Sequence, residues 1–244
     1  MPIGTGQVSL NDIETEFGGS PPTALSEYYD KGNAPGSGEI QIHADFQGTS
    51  AIIPDAHTLI STHTPSGSPA MINITSGIND TYDIYQFVFS NLHPSGDNVD
   101  LMFQVNDSEH EGGTWNHSPI TSTFASAAHK EDASATNTPY YETSMDQHQG
   151  TAYSRIAIYA GNYADESVSG VLTLYDPSST TYMKHWMSRI NLNTRDNYQR
   201  DAYVGGYINT GDPSDQPAIT QVSFKFNSGN IDSGVIKMYG LAKS

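Results

Sequence analysis

The residues with the clearest capacity for chemistry crowd into one stretch, NDSEHEGG at 106–113. Asn106, Asp107, Glu109 and Glu111 are hard oxygen donors of the kind that hold Ca²⁺, and Asp97 and Asp100 in DNVD add two more just upstream. The D-x-[DN]-x-[DN]-G order of an EF-hand loop is missing. Glu109 and Glu111 would share one face of a strand, whereas glycoside hydrolysis sets two carboxylates across a cleft. Gly112 and Gly113 follow directly, so these acids read as solvated turn residues, with Ca²⁺ in a loop cluster as the alternative. His110, His117, His129 and His148 have spacings of 7, 12 and 19, which match no zinc order and read as surface or interface histidines. There is no G-x-S-x-G elbow and no H-E-x-x-H helix. The reading is therefore of a non-enzyme: no catalytic residue, no metal ligand set and no cofactor.

Binding chemistry is better represented. Trp115 in GGTWNH, and Tyr140 and Tyr141 beside Pro139, are aromatics in a polar region, and exposed aromatic rings can stack on sugars. Trp115 either anchors its loop on its own domain or contacts a partner or a glycan. Trp186, close to Met183 and Met187, reads as core or interface.

Composition limits the partners. With 27 acids against 10 Lys and Arg, the formal net charge is −17, which excludes a phosphate backbone or an anionic membrane surface as the natural partner. No cysteine is present, so disulfides and thiolate sites are excluded. MPIGTGQVSL has neither the basic nor the apolar region of a secretory signal, and no apolar run approaches a bilayer span, so a soluble protein made in the cytosol is expected.

The elements that must position these residues are strands. Hydrophobic content is low, while Gly, Pro, Ser, Thr and 15 tyrosines are plentiful, as in many short strands joined by turns. Period-two alternation marks EIQIHADF (39–46), PAMINITS (69–76), TYDIYQFVFSNL (81–92) and NVDLMFQV (98–105), the last two predicted to form a hairpin across HPSGD. Six more strands are predicted at 151–161, 167–177, 181–192, 198–210, 218–229 and 232–242, separated by DPSS, NTRDN, GDPSD and NSGN. Residues 106–150 show little periodicity and are expected to be a long loop with a short helix near YYETSMDQ. The fold class expected is all-β, a jelly-roll-like β-sandwich over 39–244.

Residues 1–38 differ. Leu10, Ile13 and Phe17 recur at helical spacing, with Ser9 able to cap the helix and Gly18 and Gly19 able to end it. Pro21 and Pro22 block continuation, Leu25, Tyr28 and Tyr29 form a second apolar patch, and KGNAPGSG (31–38) is a linker. A two-turn helix is unstable alone and must dock, on its own domain or on a neighbour. The preferred reading is an anchoring arm whose contacts are these six apolar residues.

SLNDIETEFGGSPPTALSEYY resembles a short N-terminal motif of structural proteins of tailed bacteriophages, especially marine ones. The closing segment ITQVSFKFNSGNIDSGVIKMYGLAKS, and YQFVFSNLHPSGDNVDLMFQV, are similar to strand pairs of β-sandwich virion proteins. The resemblance covers about residues 9–32 and 81–244 and implies no catalytic residues. It implies a virion protein assembled in the host cytoplasm, placed on the tail, fibre or baseplate, with capsid decoration as the alternative placement and glycan-binding host adhesion as a third reading. Its partners would be other tail or capsid proteins and further copies of itself, a trimer being favoured, with a host surface glycan as a further candidate.

Overall fold

A computed structural model describes residues 57–212 and 215–241, together with Ile13. The chain divides into two compact units, Met1–Pro54 and Asp55–Ser244. The anchoring residues Leu10, Phe17, Leu25, Tyr28 and Tyr29, the linker 31–38 and the strand expected at 39–46 lie outside the described residues. Ile13 is helical and fully buried.

Every regular element among the described residues of the second unit is a strand: β1 (Thr58–His63), β2 (Met71–Ile74), β3 (Ile84–Pro94), β4 (Val99–Asp107), β5 (Ile120–Lys130), β6 (Thr136–Tyr141), β7 (Gln147–Gly150), β8 (Ser154–Ala160), β9 (Val168–Tyr175), β10 (Lys184–Asn193), β11 (Tyr198–Ile208), β12 (Ile219–Phe226) and β13 (Ile231–Leu241). They form two antiparallel sheets. One has nine strands in the order β1-β13-β3-β9-β10-β11-β5-β6, with β7 also paired to β5; the other has four, in the order β2-β12-β4-β8. One continuous apolar core joins their inner faces, so the unit is a β-sandwich.

Alternation explains which side chains meet. On β10, Lys184, Trp186, Ser188, Ile190 and Leu192 point inward while His185, Met187, Arg189 and Asn191 are exposed. Phe224 of β12 packs against Phe87 and Phe89 of β3 with ring centroids 5.4 and 5.0 Å apart, and Phe103 of β4 meets Trp186 edge-on at 4.6 Å. Every residue of β4 is buried, on both faces.

Three expectations need correction. The segments β3 and β4 do not pair: β3 lies between β13 and β9, and β4 between β12 and β8. The HPSGD turn therefore carries the chain from one sheet to the other. The stretch 106–150 is not one long loop, for it carries β5, β6 and β7. The helix near YYETSMDQ is a turn, closed by the Met145 N–H donating to the Glu142 carbonyl at 2.9 Å.

Candidate functional site

Among the described residues, the outer face of the large sheet offers open ground for a ligand. Directly paired residues share a face, so the register places the side chains. Gly205 on β11 faces Met187 on β10 and Thr123 on β5; Tyr207 faces His185 and Thr121. Gly205 lacks a side chain, and the gap becomes the floor of a trough of about 640 Å³ walled by Tyr175, His185, Met187 and Tyr207. The second glycine has a different role. Gly206 belongs to the inward register, where a Cβ would sit 2.1 Å from the Thr121 carbonyl oxygen, so it permits close approach of β11 to β5. A Cβ at Gly205 would meet nothing closer than 3.7 Å.

The trough rim is polar. Gln149 Nε2 donates to Thr121 Oγ1 at 3.0 Å and to the Tyr207 hydroxyl at 3.4 Å. One row away, Arg189 Nη2 donates to Asp201 at 2.9 Å, the Tyr203 hydroxyl donates to the same carboxylate at 2.8 Å, and the guanidinium lies 5.0 Å from the Tyr203 ring centroid. The hydrogen bond to Asp201 raises the Tyr203 pKa above its ordinary value. Tyr203, Met187 and Tyr182 are exposed. Flat rings around a shallow floor, with amide and hydroxyl groups at the edge, suit the apolar face of a pyranose.

The residues singled out in the sequence fall partly on this face. Tyr141 is exposed and pairs with Ala125, which pairs with Tyr203, so it extends the outer row; its hydroxyl donates to Asp146. Tyr140 turns the other way, is half-buried, and accepts a hydrogen bond from Arg200 Nη1 at 3.1 Å. Trp115 is half-buried in the β4–β5 connection, and neither it nor Tyr140 lines the trough.

The acidic stretch forms turns. Buried Asp107 accepts from His110 Nδ1 at 2.7 Å, from the Glu109 N–H at 3.0 Å and from the Ser118 hydroxyl at 3.3 Å, which ties both ends of the connection to β4. His110 stacks on His117 with centroids 4.1 Å apart. Asp100 is buried and bound to Arg155 at 2.9 Å, while Asp97 faces Arg195 at 3.9 Å, so the two acids of DNVD do not converge. His129 and His148 are exposed on β5 and β7. Among the described residues no group of three or more His, Asp or Glu side chains is gathered to hold a metal ion.

Comparison with family models, curated proteins and solved structures finds no match to this chain. The trough went unread in the sequence because its defining residue is an absence, Gly205, inside a good strand pattern. The signal was present in the Gly-Gly pair itself, since glycine in a strand interior marks close approach or a ligand.

Proposed function

We propose that this chain is a structural component of a tailed-bacteriophage virion, carried on the tail, fibre or baseplate, held by its N-terminal arm and presenting a jelly-roll-like domain. The observation that carries the reading is strand order. If β5–β7 and β10–β11 are set aside as insertions, the remaining eight strands divide between the sheets as β1-β13-β3-β9 and β2-β12-β4-β8. That order matches two wrapped Greek keys and supports the jelly-roll reading, an architecture that viral capsid and lectin domains share. The resemblance of SLNDIETEFGGSPPTALSEYY to phage structural proteins supports the same role.

The arm has a plausible energy scale. Each of its apolar side chains gains ~1.5–3 kcal/mol on full burial, before ordering costs, so one arm holds weakly and several in a symmetric oligomer hold well. Deleting residues 1–38 is expected to abolish incorporation into particles while the β-domain keeps its cooperative unfolding transition. Normal incorporation of the truncated protein, measured by quantitative immunoblot of purified particles, would remove the tether. Antibody labelling of 106–150 by electron microscopy separates the placements: label on the tail supports the proposal, and label over the head makes this a decoration protein.

A second reading, glycan-binding host adhesion, is favoured by the trough over Gly205. The substitution Gly205→Tyr fills that floor from a position with free space. The expected result is that the native protein is retarded in gels containing a neutral polysaccharide such as mannan or galactan, and that Gly205→Tyr migrates freely with an unchanged unfolding temperature. Equal mobility of the two proteins removes the adhesion reading and leaves the assembly role standing.

A further inference from the structure

Charge is spread unevenly over the second unit. The chain has 27 acids, yet the nine strands of the large sheet hold two of them, Asp201 and Asp232. Both are paired, Asp201 with Arg189 at 2.9 Å and Asp232 with His93 at 2.7 Å. The register shows what stands on the outer face instead. One row runs through Lys237, Val88, Val171, Arg189, Tyr203 and Ala125, across six neighbouring strands. The trough over Gly205 lies beside it. Large apolar side chains collect here as well. Leu59, Tyr141, Met187 and Tyr203 are exposed on these strands, and exposed Tyr182 and Met183 lead into β10. Elsewhere among the described residues, the exposed large apolar side chains are Met71 and Tyr163. Loss of charge with a gain of Tyr, Met and Arg is the composition of a protein–protein contact, not of a solvated sheet face.

Charge also selects the occupant. At a net −17 the chain repels its own copies, so two of them can meet closely only through a face cleared of unpaired acids. A cationic partner would be drawn to the acidic connections between strands. An anionic one would find Lys237 and an Arg189 already matched by Asp201. A near-neutral face fits another near-neutral face, and each copy of this chain supplies one. The size is sufficient too. The six strands β13, β3, β9, β10, β11 and β5 each have at least eight residues. At ~4.8 Å between strands and ~3.3 Å per residue they cover roughly 750 Å², close to the ~800 Å² per partner of a standard interface. We propose that two copies of this chain pack through the outer faces of their large sheets about a two-fold axis, each covering Met187, Tyr203 and the trough of the other. This contact does not use the arm, and it excludes a glycan from the trough.

The test is sedimentation equilibrium of the full chain and of three variants. Met187→Asp sets like charges against each other across the axis and is expected to weaken self-association about a hundredfold or more. Thr123→Asp, exposed on β5 opposite Gly205, is expected to act the same way and carries the test if Met187→Asp does not fold. Tyr163→Asp makes the same kind of change at an exposed aromatic outside the large sheet, and it should leave the native mass unchanged. Added salt is expected to tighten the native association, because it screens the repulsion between acidic copies. A native chain that stays monomeric up to its highest soluble concentration overturns the proposal and leaves the face to a different partner or to a glycan. Association that survives both Met187→Asp and Thr123→Asp, or that Tyr163→Asp weakens equally, places the contact elsewhere and overturns it as well. Neither result bears on attachment to a particle through the arm, which the truncation of residues 1–38 tests separately.

Discussion

Phe224→Ala is expected to lower the unfolding free energy by about 3–5 kcal/mol, the range for deleting a buried aromatic side chain. Phe224 is fully buried at the centre of β12, and β12 lies between β2 and β4. Its ring touches the opposite sheet through Phe87 and Phe89 and leans toward Phe103, at 6.5 Å, on its own sheet. Phe103 in turn carries Trp186. The ring thus joins the two sheets, and alanine there opens a cavity that neither rigid sheet can close. Phe224→Leu keeps most of the volume and should cost less than half as much. Urea unfolding followed by tryptophan fluorescence measures both, since Trp186 reports the same cluster. A loss under 1 kcal/mol for the alanine variant would mean that the sheets are not packed through this ring.

Between pH 8 and 10 the protein is expected to gain about 2–3 kcal/mol of stability, from one side chain, at 1.36 kcal/mol per pKa unit. Lys184 is fully buried at the start of β10, where its ammonium donates to Thr210 Oγ1, the Gln216 carbonyl and the Pro217 carbonyl at 2.9, 2.8 and 2.9 Å. Loss of water lowers its pKa from 10.5 to about 8, against the upward pull of Asp107, Asp176 and Asp215. Above pH 8 the folded protein has released a proton that the unfolded chain still binds, so stability rises with pH until the unfolded lysine also titrates. Tyr85, Tyr153 and Tyr159 reverse the trend. Burial raises each of their pKa values, so the folded state keeps protons that the unfolded state gives up above pH 10, and stability falls again. A maximum near pH 10 is expected, and Lys184→Met should remove the rising limb while leaving the fall. A flat profile in the native protein would show that the ammonium stays charged throughout.

Most strands were legible because at least one face of each is buried. β3, β4 and β8 to β13 all appear in the sequence as period-two patterns within a few residues of their bounds. β5 was not legible, because its inward positions are Ile120, Ser122, Phe124, Ser126 and Ala128, and three of these five carry no apolar bulk. Small side chains are required there for the hydroxyls to bond, as Ser126 does to Arg200. The false hairpin has another cause. A turn shows that the chain reverses, but the sheet each arm joins is decided by partners far away, β13 and β9 for one and β12 and β8 for the other. The charged interior was hidden for a related reason. Lys184 and Arg200 sit at inward positions of strands whose other inward members are mostly apolar, and a single basic residue in such a pattern reads as an exposed end. Of the candidate contacts, Tyr141 is on the open face, whereas Tyr140 supports Arg200 from within.

The positions of β12 and β13 matter for how the chain is made. Each enters the middle of a sheet, β12 between β2 and β4 and β13 between β1 and β3, although the strands they join are synthesised more than a hundred residues earlier. Until these two segments leave the ribosome, β1 to β4 have open edges and no continuous core, so the domain cannot complete itself during translation. Such long-range closure is slow and leaves hydrophobic edges exposed to other nascent chains. A premature stop before Ile219 therefore removes the keystone of both layers, and its product should be an aggregation-prone fragment.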